Sequence, residues 1–448
     1  MMQTYRSGKS VLAQWGLVAC LTLISMLAQI DKNILVLMVG PIKHDFGVSD
    51  VQISFLIGAA FAVANIVMGL PAGWLADRCN RRVVISGAVL LWSLAVISNA
   101  AASIFLVLII ARVVVGGAEA LISPASYSLI RDGVDEGRRA RALSVYTMAL
   151  MLGTGLSLVL GGPLIGAIEA AGVHSVPLIG AVSPWQATLF VIGLVGIPLA
   201  FIVFLPKDPG RPRETGDDQK HSLTDIVRYL SNNRAIFLPL LVFTVALSMV
   251  TSGLGSWMPA MAARTFHMSM REFGLIQGGL MLVMGPLGLW FAGQAMDKKG
   301  KSRLSDVAFV GVIVSVVVTV LTVSLCLART VTTFWVVDGM VVLFSWTFMA
   351  VTSTLVARVV SSSRVGLIMA LILVLNGLIG QGLSPTLIAL AGEYLYADLA
   401  NALPAGMATV FAGSGIVAIV AALTLHRRFL KRQTSEGNLP APVFSGEH

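Results

Sequence analysis

The chain has 448 residues, 56% of them hydrophobic and only 12% charged, with a mean hydropathy of +0.86. A soluble domain carries about a quarter of its residues as charges, so this composition excludes a soluble protein and identifies an integral membrane protein. The formal charge of +9 suggests nucleic acid only until the basic residues are placed along the chain.

Apolar runs of about 20 residues or more recur throughout, which predicts α-helical spans; barrel strands would alternate over about 10 residues. The expected fold is an all-α membrane protein with twelve transmembrane helices. They are predicted at roughly 12–40, 51–76, 83–102, 104–130, 139–168, 186–205, 235–262, 270–296, 305–327, 331–358, 364–395 and 404–426. The first run is too long for a cleavable signal and continues past Gln29 into Met38, so it reads as a span. With the N-terminus in the cytoplasm, the outer loops hold only Lys43, Arg264, Arg271 and Arg329, and Lys32 and Arg112 fall inside spans. That asymmetry predicts both termini inside. The positive charge is then topological, and the nucleic-acid reading falls.

The longest polar stretch separates the sixth and seventh spans and opens Pro206-Lys207-Asp208-Pro209-Gly210-Arg211-Pro212, which cannot be helix. Ser222 and Asp225 then form a capping-box pattern that predicts a short amphipathic helix. The expected organisation is an N-terminal six-helix half at 1–205, a cytoplasmic linker at 206–234, a C-terminal half at 235–430 and a disordered tail at 431–448. Internal repetition supports two halves. Gly73…Asp77-Arg78-Cys79-Asn80-Arg81-Arg82 after the second span has a counterpart in Gly293…Asp297-Lys298-Lys299 after the eighth, and Gly161-Gly162-Pro163 has one in Gly382-Leu383-Ser384-Pro385. Parallel six-span repeats imply a binding site between halves near the bilayer midplane.

This layout and the loop with its second copy resemble the major facilitator superfamily over essentially the whole chain. Leu70 to Arg82, Ala111-Arg112…Gly117-Ala118-Glu119-Ala120…Ser123-Pro124-Ala125-Ser126-Tyr127 and Arg138-Arg139-Ala140-Arg141…Tyr146 are similar to the bacterial spinster-like transporters. Asn80 stands where the general superfamily loop has Gly and matches spinster-like members. Organic-anion/proton symporters share the Asp in span one and the Arg…Glu in span four.

A charge inside a span costs about 2.5–3.5 kcal/mol on insertion scales, which makes each one a candidate functional group. Arg112 and Glu119 are seven residues apart, two turns, and project from one face of span four. Asp31 is expected at a depth similar to that of Arg112 and able to pair with it. The resemblance implies proton coupling at Asp31 and Glu119 and coupling or substrate charge at Arg112. Lys32 stands where many relatives have Arg; it either snorkels outward or replaces a substrate-binding guanidinium. In the second half Asp338, Asn376 and Trp257 are candidate substrate contacts. Gly73, Asp77, Arg78, Arg81, Arg82, Gly293 and Asp297 are expected to form a cytoplasmic gate, Asp77 capping the start of span eleven and the arginines adding cross-half pairs.

Enzyme readings find no motif. Gly8-Lys9-Ser10 and Gly300-Lys301-Ser302 resemble the end of a phosphate-binding loop, but the required upstream glycine is Gln3 in one and Ala295 in the other. The six histidines and three cysteines show no metal-ligand spacing. The expectation is a monomeric, proton-coupled secondary transporter without cofactor in the cell membrane, the inner membrane if the source is Gram-negative. Its implied substrate is an amphiphilic lipid of the lysophospholipid or sphingoid type. The alternatives are a small organic anion and a non-transporting membrane sensor or scaffold.

Overall fold

The computed structural model describes residues 10–172, 175–176, 179–210, 223–297, 303–399 and 401–435. Among these, twelve helices are long and apolar enough to cross a membrane. Spans one to six are Val11–Leu37, Asp50–Gly69, Arg81–Ala100, Phe105–Gly133, Glu136–Ala170 and Pro184–Ile202. Spans seven to twelve are Arg234–Phe266, Met270–Met296, Leu304–Cys326, Val331–Val359, Arg364–Leu395 and Ala402–Gln433. Span two runs on as helix to Arg78. The chain is therefore a multi-pass all-α membrane protein, as its hydropathy predicts. The linker helix occupies Leu223–Asn232; its predicted cap Ser222, most of the linker before it and the tail from residue 436 lie outside the described residues.

Local chemistry sets the span ends. Ser10 Oγ accepts the Ala13 N–H at 3.2 Å, and Ser49 and Gln52 form a reciprocal capping box at the start of span two. Asn80 is the cap of span three: its Oδ1 accepts the Arg82 N–H at 3.0 Å. Glycine lacks a side-chain acceptor there, so the departure at Asn80 has a structural reason. Gly47 takes a left-handed φ of 61° after the short helix Val39–Phe46. Just before it, Asp45 accepts hydrogen bonds from Ser183 Oγ (2.6 Å) and Trp185 Nε1 (2.7 Å) at the start of span six. Partial burial pushes the Asp45 carboxyl up, but the bonds from Ser183, Trp185 and His44 outweigh it and hold the group below its ordinary range.

The described residues group into two compact units. The first takes those within Met1–Gly47, Val63–Gly216 and Ser269–Gly279; the second takes those within Val48–Ala62, Asp217–Met268 and Leu280–His448. Each unit therefore includes the beginning of a span from the other half of the chain. Inside the first unit the start of span eight lies on span five. A Cβ on Gly162 would strike the Met270 carbonyl, and one on Gly274 the Leu158 carbonyl. Inside the second unit the start of span two lies on span eleven, where a Cβ on Gly58 would come within 2.8 Å of the Gln381 carbonyl and 3.2 Å of the Gly382 carbonyl. Ser54 Oγ donates to Thr386 Oγ1 across the same contact at 3.1 Å. The two repeated Gly-Pro segments are thus the helix faces that accept these crossing pieces. Each helix widens into a π-type turn at the second contact, Phe55–Ala59 on span two and Asn376–Leu383 on span eleven.

Gly73 and Gly293, by contrast, have nothing within 4 Å of where a Cβ would stand. Gly58→Ala is expected to destabilise the folded protein by about 1–3 kcal/mol, because it drives a methyl into backbone that cannot yield. Gly73→Ala is expected to leave stability unchanged or raise it by up to about 1 kcal/mol through helix propensity. Thermal unfolding of the two variants in detergent measures the contrast.

Candidate functional site, a buried charge cluster in the first unit

Span one brings Asp31 and Lys32 into the first unit, and span four brings Arg112 and Glu119. Asp31 is 2% exposed and Arg112 4%. Arg112 Nη1 reaches Asp31 Oδ2 at 3.4 Å, and its Nη2 donates to the Lys32 carbonyl at 3.3 Å. One guanidinium thus bridges a carboxylate and the backbone of the next residue, which ties span four to span one at a single level. A third helix completes the arrangement: Trp92 of span three, 1% exposed, donates its Nε1–H to the same Asp31 Oδ2 at 3.0 Å. This is the shorter of the two side-chain contacts to that oxygen.

Glu119 lies two turns further along span four. The charges that act on it are, largest first, those of Lys32, Asp31 and Arg112. Lys32 in turn feels Glu119 before Arg112 and is half-buried. The Lys32 ammonium therefore acts on both Glu119 and Arg112 from within the same unit. Glu119 Oε1 is buried and has no hydrogen-bond partner among the described residues. Two acids and two bases make a neutral set when all are ionised, which is the arrangement a low-dielectric interior tolerates best. Asn65 of span two donates to the Gly116 carbonyl at 3.1 Å and holds the glycine-rich stretch of span four in place.

The candidates of the second unit are packed differently. Trp257 is fully buried, and its Nε1–H donates to the Pro385 carbonyl at 2.9 Å. It braces the broken middle of span eleven rather than facing open space, contrary to its reading as a cavity residue. Asp338 is 0% exposed and is not a water-exposed acid. Asn376 is 9% exposed; its Nδ2 points at Met349 Sδ at 3.6 Å, while its Oδ1 is buried with no hydrogen-bond partner among the described residues. Of the three, Asn376 has a polar atom available.

Of the gate residues, Arg81 is 3% exposed and bonds Ser128 Oγ (2.9 Å), Asp132 and the Gly210 carbonyl (2.9 Å). Arg82 bonds the Val203 carbonyl at 3.0 Å and that of Phe204. All these partners belong to the first unit. In this structure Arg81 and Arg82 find acceptors within their own unit, in Asp132 and the carbonyls that end span six. Arg78 stacks over Trp74 at 4.8 Å, and Asp77 is exposed. Gly293 and Asp297 end span eight's helix.

Sequence reasoning overlooked two groups. Trp92 gave no signal, because a tryptophan in an apolar span reads as packing. Glu393 gave one, as the sole acid inside span eleven. Its Oε1 accepts the N–H groups of Asp50 (2.5 Å) and Val51 (3.2 Å), while Arg264 grips the Asp50 carboxylate at 2.6 and 2.7 Å. These three charges border a cavity of about 310 Å³ in the second unit.

Trp92→Phe keeps the ring and removes the N–H. A hydrogen bond to a charged group contributes about 1.5–3 kcal/mol, so the variant is expected to lose about that much unfolding free energy. Most of the loss is expected to vanish when measured in an Asp31→Ala background, which a double-mutant cycle reads directly.

The chain is 28% identical over 289 residues to an MFS-type efflux pump of Mycolicibacterium smegmatis, a match that covers 63% of this chain and 62% of the pump. It is 29% identical over 246 residues to the mouse sphingosine-1-phosphate transporter SPNS2, covering 54% of this chain and 42% of that one. A galactarate/D-glucarate transporter assigned as probable in Bacillus subtilis is 24% identical, with 66% and 68% covered. The matches thus span between about two fifths and two thirds of these relatives' own length. Among solved structures, a bacterial homolog of the human lysosomal transporter Spinster, inward-facing and occupied, superposes with a TM-score of 0.79. It is 21% identical and covers 97% of this chain and 100% of that one, a likeness of fold. Family and relatives are transporters, not enzymes. The Major Facilitator Superfamily profile matches residues 21–385, and the chain belongs to that superfamily, with similarity to its spinster members.

Proposed function

We propose that this protein is a proton-coupled secondary transporter that works by alternating access and moves an amphiphilic lipid of the lysophospholipid or sphingoid type. The observation that carries the reading is the neutral set of the buried pair Asp31 and Arg112 with the half-buried Lys32 and Glu119, in which Glu119 Oε1 has no hydrogen bond among the described residues. Protonating one of its acids leaves a surplus positive charge. At about 4 Å and an effective dielectric of about 20, one such charge attracts an anion by about 4 kcal/mol. An anionic head group that approaches Arg112 and Lys32 restores neutrality, so proton and substrate favour each other's binding. Asp31 and Glu119 are the proton-carrying groups in this scheme. In the second unit Asp338 and Asn376 remain proposed substrate-binding residues.

The similarity to a sphingosine-1-phosphate transporter supports the lipid. The second reading, a small organic anion moved by proton symport, is supported by the galactarate/D-glucarate relative, which shares a larger part of this chain. Asp77 and Arg78 remain the proposed elements of a cytoplasmic gate. The open space beside Gly73 and Gly293 supports a role for these glycines in a conformation other than this one. The distribution of basic residues supports a cell-membrane protein with both termini on the cytoplasmic side.

The test is substrate-dependent proton movement in proteoliposomes, comparing lysophosphatidylglycerol with galactarate, for wild type and Asp31→Asn. The lipid is expected to drive proton uptake that falls at least 10-fold in the variant. Flux with galactarate alone selects the second reading. Lipid binding without flux of either compound would contradict transport and favour a sensor.

A further inference from the structure

Beyond Glu119 the first unit carries a run of hydroxyl groups that the charge cluster does not use. Ser123 follows Glu119 by one turn on span four, and residues one turn apart have Cβ atoms about 6 Å from each other. Tyr146 of span five is fully buried, and its hydroxyl is surrounded by Ser25, Ser126 and Ser123. Ser25 Oγ donates to Tyr146 Oη at 2.9 Å, which leaves the tyrosine's own proton for the span-four serines. Ser126 Oγ is buried and stands beside that hydroxyl. The ring of Tyr127 stands edge-on to Tyr146 with centroids 5.2 Å apart, and Tyr127 is 39% exposed. The sequence of groups Glu119, Ser123, Tyr146, Ser126, Tyr127 thus leads from a half-buried carboxyl to an exposed side chain, and every member can carry an exchangeable proton.

A purely structural cluster has less need of this composition. A buried hydroxyl is satisfied by one backbone carbonyl, as Ser315 and Thr319 are in span nine. Here hydroxyls from spans one and four converge on one phenol of span five, with Ser126 among them. Rotating that one hydroxyl extends the chain of hydrogen bonds by a link, which is the property a proton path requires.

We propose that Tyr146 relays the coupling proton between Glu119 and the surface at Tyr127. The transfer is concerted and balanced. The Glu119 carboxyl gives its proton to Ser123, each hydroxyl accepts one proton and releases another, and water at the Tyr127 end takes the last. Glu119 is left ionised and every hydroxyl neutral. The inference rests on the proton-coupled reading, with Tyr146 moving the proton rather than binding substrate.

The test uses full-length protein in proteoliposomes with lysophosphatidylglycerol, or with galactarate if that is the compound transported. Tyr146→Phe keeps the ring and removes the relay hydroxyl. Transport driven by a pH gradient is expected to fall about 10-fold, while substrate counterflow at equal pH, which needs no net proton release, stays within about 2-fold of wild type. Ser123→Ala is expected to act in the same direction. Equal loss of counterflow and gradient-driven transport in Tyr146→Phe would mean a structural role and overturn the relay. Unchanged gradient-driven transport would overturn it as well. Wild type that moves substrate without protons would remove the coupled reading itself, and the relay with it, a result visible before any variant is compared.

Discussion

Charges buried in a membrane protein have to balance one another, and the first unit is built around one such balance. Asp31 alone would be expelled from the interior, and so would Arg112. Placed 3.4 Å apart, with Trp92 on the same carboxylate oxygen and the Lys32 carbonyl on the same guanidinium, they join spans one, three and four at one level. Lys32 and Glu119 extend the balance two turns along span four. Such a set is stable as a whole and sensitive in its parts, since one proton more or less leaves a full charge uncompensated.

The second constraint is steric. Gly162 and Gly274 in one unit, and Gly58 and Gly382 in the other, let helices cross with backbone against backbone. Around the second of these contacts stand the polar ties Ser54–Thr386, Asp50–Arg264 and Glu393. The charged residues near these loops hold their own unit together: Asp45 clamps the start of span six, and Arg81 and Arg82 fasten the opposite ends of spans four and six. Backbone approach and short polar bonds supply the rigidity that a shallow hydrophobic difference between helix and lipid cannot.

Most of this architecture is legible in the sequence because a bilayer imposes a simple grammar. Twelve apolar runs, a polar linker and a repeated Gly-and-Asp loop predict the fold, and an arginine with a glutamate two turns on marks the face where span four works. Asp31 is found by the same rule, as a charge where none is cheap. Applied with equal rigour, the rule finds Glu393 too. Other features have no one-dimensional signature. Trp92 looks like any buried tryptophan until its N–H is seen on Asp31. Trp257 looks like a cavity residue until its N–H is seen on the Pro385 carbonyl. Arg81 carries the same charge whether it reaches across halves or back to Asp132, and only the proximity of that aspartate decides. The linkage of each unit to a piece of the other half's span is likewise invisible, because glycine spacing says where backbones meet and not which ones.

If the net charge of the Asp31, Lys32, Arg112 and Glu119 set governs anion binding, substrate affinity has to change with pH. Lysophosphatidylglycerol keeps a single negative charge from pH 5.5 to 8, so any change in its binding belongs to the protein. Wild type is predicted to bind it about 10-fold more tightly at the lower pH. Glu119→Gln, which fixes the surplus positive charge, is predicted to bind tightly at both. Glu119→Gln with the pH dependence of wild type would contradict the claim.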